Sequence, residues 1–408
     1  MGTRFRFLPG LLVVLWLLVL NGCSSSSSST SSGTGQLFVS TQGDSLVSPY
    51  TIDLSTGLLT ANGTGVKTGI TPSAMLLASS ANALFIVNSN SAITPTVPPT
   101  VCQLPDNTGS ISAYTVKSDG TLTAAGGSAT AGYIPLAVTT DSGGHFLFVA
   151  NQGLQCKPES GTVSIFSIQD ATLTKVSDVQ VVGVSPASNP GPTAIAVTPD
   201  GKFLYVANQF DGTVSSFSVD TTSGALTRFA TVLVGTAPAG MAITPDGGFL
   251  YVSNSGSSSV SAFGICNQVV STCSDPNSPD GSLSPVAGSP FSAGLGPSSI
   301  VATSSGKFLF VLDRQSNQIS EYKIATGTGV LTANTQPSIG TGSTPAGIAL
   351  RSGTSVVAAT LGTTDYLYVA NLGASTMTSY SYDSTLGVLG LLGSAITTGG
   401  QPSAVATK

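Results

Sequence analysis

The sequence predicts an all-β fold, a seven-bladed β-propeller with four antiparallel strands per blade, and three observations predict it. A short apolar segment ending in a turn residue recurs seven times along the 408 residues. The composition is that of short strands and tight turns, with 48 glycines and only 8% charged residues. A segment missing ahead of the first repeat reappears at the C-terminus.

Residues 191–227 show the unit most clearly. Ile195 and Val197 alternate with small residues, and Thr198-Pro199-Asp200-Gly201 supplies a tight turn. The apolar run Phe203 to Asn208 follows, then Gly212 to Asp220, then Gly224-Ala225-Leu226-Thr227, which together read as four strands. The second segment recurs at Leu37 to Thr41, Leu84 to Asn88, Phe146 to Asn151, Phe249 to Asn254, Phe308 to Asp313 and Tyr366 to Asn371. A mean spacing of about 55 residues suits four short strands with their loops, the size of a propeller blade. The chain opens at Gln36 with a second strand, and Gln401 to Thr407 has the first-strand pattern. The C-terminus is therefore expected to complete the blade that the N-terminus begins, leaving no open edge between blades.

The N-terminus reads as an address. Arg4 and Arg6 precede the apolar run Leu11 to Leu20, the layout of a secretory signal over residues 1–22. Leu20-Asn21-Gly22-Cys23 resembles the lipobox of bacterial lipoproteins, which implies lipidation at Cys23 and a membrane as partner. Ser24 in place of an acidic residue implies, by the same resemblance, the outer membrane, on its periplasmic side or at the cell surface. Residues 23–35 are a Ser-rich tract expected to act as a tether, and residues 36–408 are expected to form the propeller. Beyond the N-terminus no apolar run reaches the roughly 18 residues of a spanning helix, so a soluble, monomeric body is expected.

Other partners are constrained by charge and motif. A net charge of −5 and a pI near 4.7, with 13 lysines and arginines in all, argue against nucleic acid. A single histidine excludes an H-E-x-x-H zinc site, and neither a G-x-S-x-G elbow nor a phosphate-binding glycine loop is present, so no cofactor or metal is expected. With Cys23 lipidated, four cysteines remain for an oxidising compartment. Cys102 and Cys156 lie in corresponding loops of neighbouring blades and are expected to pair, as are Cys266 and Cys273 within one loop; metal binding by the four is the alternative.

In a propeller, ligands meet the loops around the central channel: those from fourth to first strands and from second to third strands. The first set contains Gly191-Pro192 and Gly296-Pro297, and the second opens with Gln42, Ser89, Gln152, Gln209, Ser255, Arg314 and Leu372. The Tyr-Val-Ala-Asn stretches at Tyr205 and Tyr368, the Thr-Pro-Asp-Gly turns at Thr198 and Thr244, and the Ser-x-Phe-Ser-Val/Ile units at Ser215 and Ser164 carry a resemblance. Over residues 36–408 the chain resembles the YVTN-type repeat propellers and the seven-bladed lactonase family that includes 6-phosphogluconolactonase. That resemblance implies a site of His, Arg and Glu side chains around the upper channel.

The chain departs from this equipment. His145 falls beside a turn on the opposite face and reads as a solvated turn residue. Arg314, Asp313 and Glu321 in blade 6 form the only charged constellation expected near the mouth, as catalytic candidates or as a local ion pair. The asparagines ending five second strands read as turn caps. The leading expectation is a binding or scaffold module for carbohydrate or protein, resting on the neutral Ser/Thr/Asn/Gln rim. The alternatives are a lactone hydrolase of the 6-phosphogluconolactonase type, with Arg314 steadying the oxyanion and Glu321 or Asp313 activating water, and a structural surface-layer component.

Overall fold

Blade 4 shows how the repeat becomes a sheet. Pro192–Val197, Phe203–Asn208, Thr213–Val219 and Leu226–Leu233 pair in that order, each antiparallel to the last. The second strand is a continuous apolar run because both of its faces are covered. Leu204 and Val206 pack on Phe148 and Ile165 of blade 3, whereas Tyr205 and Ala207 pack on Leu250 and Val252 of blade 5. In the inner turn, Thr198 Oγ1 donates to Asp200 Oδ1 (2.6 Å) and accepts from the Phe203 amide (3.1 Å). In the outer turn Gly224 has φ +72, and a Cβ there would lie 2.6 Å from the Phe146 ring, so both backbone and neighbour demand glycine.

A computed structural model describes residues 34–90, 108–185, 188–267, 278–334, 338–351 and 364–408. They form seven antiparallel sheets of four strands, six in sequence order and one completed by the C-terminal strand, with the fourth strand broken into two pieces in four blades. Helical structure among the described residues is limited to two 3-10 turns, Ser79–Ala81 and Pro158–Ser160. The unbroken outer strands Thr172–Gln180 and Leu226–Leu233 carry charge, and the interruptions in four other blades shorten an edge open to pairing.

Closure follows the expected route. Pro402–Thr407 pairs with Thr34–Thr41, Leu37 opposite Thr407 and Val39 opposite Val405. Backbone bonds from Lys408 N to Gln36 O (2.9 Å) and from Gln42 N to Gln401 O (2.9 Å) bracket the pair. Thr34 and Gly35, expected in the tether, already pair with Asp53 and Ile52.

The apolar core is divided into seven clusters, one between each pair of neighbouring blades. Every blade thus depends on two neighbours and on nothing at the centre. Cys156 and Cys266 are each disulfide-bonded. Their expected partners Cys102 and Cys273 lie outside the described residues, as do Cys23 and the signal segment.

Candidate functional site at the channel mouth

The first strands of all seven blades line a central channel with a cavity of about 320 Å³. No ionisable side chain is among those that line it. Its hydroxyls are committed across blade boundaries: Ser73 Oγ donates to Pro135 O (2.8 Å), Thr193 Oγ1 to Pro238 O (3.1 Å), Ser299 Oγ to Ala346 O (2.8 Å) and Ser403 Oγ to Pro72 O (2.7 Å). The channel wall is neutral and internally satisfied, so acid or base chemistry has to come from the loops at its mouth.

These loops are built by one repeated device. The residue before each first-strand proline has positive φ: Thr71, Ile134, Gly191, Ala237, Gly296, Thr344 and Gln401. Its carbonyl accepts the backbone N–H of the residue following the second strand, from Gln42, Ser89, Gln152, Gln209, Ser255, Arg314 and Leu372, at 2.8 to 3.0 Å. The seven residues expected at the mouth are therefore all there, pinned by their own amides. For five of the seven donors' partners the left-handed conformation falls on a residue other than glycine, a conformation that costs roughly 1–2 kcal/mol per residue.

Side-chain size alternates across this device in six of the seven blades. Ile134, Ala237, Thr344 and Gln401 face loops with glycine at the second position, Gly153, Gly256, Gly373 and Gly43. Gly191 and Gly296 face Phe210 and Gln315 instead, and a Cβ on Gly191 would meet the Phe210 ring at 2.5 Å. In blade 2 both loops carry side chains, Thr71 and Asn90, whereas in blades 4 and 6 only the second-to-third-strand loop does. The sequence expectation missed this because the exchange appears only when the two loops are paired. The signal was present in the Gly191-Pro192 and Gly296-Pro297 entries.

Blade 6 does not assemble the expected catalytic group. Asp313 pairs with Gln318 and Glu321 with Phe310, so the two carboxyls point to opposite faces of the sheet. Asp313, fully buried on the blade 5 side, accepts Ser320 Oγ (2.6 Å) and the Gly294 backbone amide. Its Oδ1 has no partner among the described residues, and burial pushes the carboxyl up to about 6. Glu321 is buried on the blade 7 side, where Asn334 Nδ2 reaches it (3.3 Å) and also donates to Gly387 O (3.0 Å). Burial pushes Glu321 up to about 7. The proposed ion pair is likewise absent: Arg314 is exposed and makes no salt bridge among the described residues.

Asp313 occupies the place that asparagine holds in five blades. Asn208 Nδ2 donates to Thr213 Oγ1 (3.0 Å) and Ser215 Oγ (2.9 Å), and Asn151, Asn254 and Asn371 repeat the pattern. Asn254 Oδ1 also accepts the Gly235 amide (3.2 Å), joining the loop that arrives from the preceding blade. The asparagines are structural, and they tie two strands and a loop together. Glu321 with Asn334 similarly substitutes for a tie made elsewhere by tyrosine: Tyr251 OH donates to Gly329 O (2.9 Å) and Tyr368 OH to Gly57 O (3.0 Å), where blade 6 has Phe310.

His145 lies at the turn on the face opposite the mouth, with 72% of its side chain exposed. Its Nδ1 is 3.1 Å from Asp141 Oδ2, and Asp141 Oδ1 accepts the His145 and Phe146 amides at 2.7 Å. It is a turn residue and remote from the channel mouth. Among cations on the mouth face, Lys157 lies 5.4 Å over the Tyr133 ring and Lys67 Nζ donates to Asp44 O, so Arg314 is the uncommitted one among the described residues.

Comparison with known proteins gives a consistent result. The model of the family described as lactonase, 7-bladed beta-propeller, matches residues 36–168, 159–271 and 279–407. A 6-phosphogluconolactonase of Formosa agariphila is 32% identical over 91 residues, 22% of this chain and 24% of that protein. The chain thus matches about a quarter of the length of this relative. The periplasmic gluconolactonase of Pseudomonas aeruginosa superposes with a TM-score of 0.71 at 20% identity, covering 92% of this chain and 99% of the other. A protein from Lactobacillus plantarum gives 0.71 at 19% identity, covering 92% and 100%. At these identities the two structures establish the shared fold.

Proposed function

The chain belongs to the family of seven-bladed β-propeller lactonases, and on that premise we propose that it hydrolyses a lactone at the channel mouth. The reaction adds water to the ring carbonyl, breaks the carbon–oxygen ring bond and yields a hydroxy acid. The observation that carries the reading is Arg314, an exposed cation with no ion-pair partner among the described residues, whose own amide is fastened to Gly296 O at the mouth. A guanidinium held there is suited to the negative charge that develops on the carbonyl oxygen. The Formosa relative and the Pseudomonas neighbour, one named for a phosphorylated and one for a plain sugar lactone, support this over a scaffold role.

Arg314→Ala is expected to lower kcat/KM on sugar lactones by about a hundredfold or more with the fold unchanged. Wild-type protein inactive on a panel of sugar and aliphatic lactones would defeat the proposal. A second reading, capture of a sugar without turnover, is favoured by the burial of Asp313 and Glu321 on opposite faces of the blade 6 sheet, where neither pairs with Arg314. Binding without hydrolysis in that panel would select it. Export and lipidation at Cys23 belong to the same proposal. Metabolic labelling with a clickable fatty acid should mark the wild type and not Cys23→Ala, and equal labelling of both would exclude the anchor.

A further inference from the structure

We propose that the mouth loops of blades 3 and 4 form a binding subsite for an uncharged sugar ring, with Phe210 as its stacking platform. The inference deepens the lactone reading by assigning the part of the site that holds the substrate ring. Phe210 stands where four other blades have glycine, and it is 38% exposed on the mouth face. Its position is built: the ring rests on Gly191, where any side chain would collide with it, and its amide donates to Pro190 O (2.9 Å).

The loops around it are held rigidly. Asn189 is buried; its Nδ2 donates to Gln152 O (2.8 Å) and its Oδ1 accepts the Gly191 amide (2.9 Å). Asp211 Oδ2 accepts the Val184 amide (2.9 Å), fixing the far side of the same loop.

Polar recognition comes from an amide pair. Gln152 Nε2 donates to Gln209 Oε1 at 2.6 Å across the boundary between blades 3 and 4. Each amide is thereby oriented and keeps its other terminal atom free to bond: Gln152 the Oε1 acceptor and Gln209 the Nε2 donor, neither with a partner among the described residues. One oriented donor beside one oriented acceptor suits neighbouring hydroxyls, each of which both gives and takes a hydrogen bond. An aromatic face next to them suits the apolar C–H face of the same ring.

The test is a titration of the full chain with D-glucose, followed by saturation-transfer NMR and calorimetry. Saturation is expected on carbon-bound ring protons. Phe210→Ala and Phe210→Leu are each expected to weaken binding by about five- to tenfold, Phe210→Tyr to preserve it, and Gln209→Ala to weaken it by about fivefold. Leucine keeps apolar bulk over Gly191 while removing the aromatic face, so its effect separates recognition from folding. D-glucose carries no lactone, so this outcome stands apart from any failure of hydrolysis. No glucose binding by the wild type, or wild-type affinity in a folded Phe210→Leu protein, would overturn the assignment.

Discussion

Removing Gln401 to Lys408 is expected to cost the protein its fold, with soluble yield lost or the melting temperature lowered by more than about 10 °C. The segment is the innermost strand of blade 1. Val405 sits in the cluster that joins blade 7 to blade 1 with Leu37, Val39 and Tyr368, and Ala406 packs against the cluster that joins blade 1 to blade 2. Ser403 donates to Pro72 O (2.7 Å) and Thr407 Oγ1 to Leu350 O (3.1 Å), so the strand is fastened on both sides. Its loss exposes the Thr34–Thr41 strand along a full edge and opens two of seven interfaces together. Differential scanning calorimetry of the truncated chain decides the matter. An unchanged melting temperature would mean that the ring is not closed by this pairing. Supplying Gln401 to Lys408 as a free peptide should recover part of the loss, since a strand can add to an exposed edge without a covalent link.

The second large effect is a loss of stability as pH rises from about 4 to about 8. Asp313 and Glu321 have folded-state values near 6 and 7, above their ordinary 3.8 and 4.5, because burial penalises the charged form. Between the ordinary and the raised value the folded state binds more protons than the unfolded state, so stability falls with rising pH. The contribution is fully present below pH 4 and is lost as pH passes 6 and then 7, on the order of 2–3 kcal/mol for each group. Asp313→Asn should remove its share, because asparagine can donate Nδ2 to Ser320 and accept from Gly294 as its counterparts do in other blades. At pH 8 the variant is expected to melt about 3–6 °C higher than the wild type and to show a flatter pH profile. A lower melting temperature for Asp313→Asn at pH 8 would mean that the carboxylate is held there by something other than the asparagine pattern.

Much of the molecule was legible in the sequence, and the limits were physical. Repetition exposes the blades, because Leu204 and Val206 serve one neighbour and Tyr205 and Ala207 the other, which makes every second strand apolar throughout. The mouth residues follow from position alone, since Gln42 and its six counterparts are placed by backbone bonds. The catalytic grouping in blade 6 failed on parity. Asp313 and Glu321 are near in sequence, yet the hairpin register turns them to opposite faces, and register depends on the loop between them. Phe210 went unremarked because its exposure depends on Gly191, a residue of a different loop. Asn334 carried no signal either, since its partner carbonyls Leu386 and Gly387 belong to the next blade.

Strand direction has an architectural corollary. The chain enters the ring at Thr34 and runs toward Gln42 at the mouth, so residue 34 starts on the rear face, the side where His145 and the Thr-Pro-Asp-Gly turns lie. The opening, with Phe210 and Arg314 around it, therefore faces away from the end of the ring at which the first strand begins.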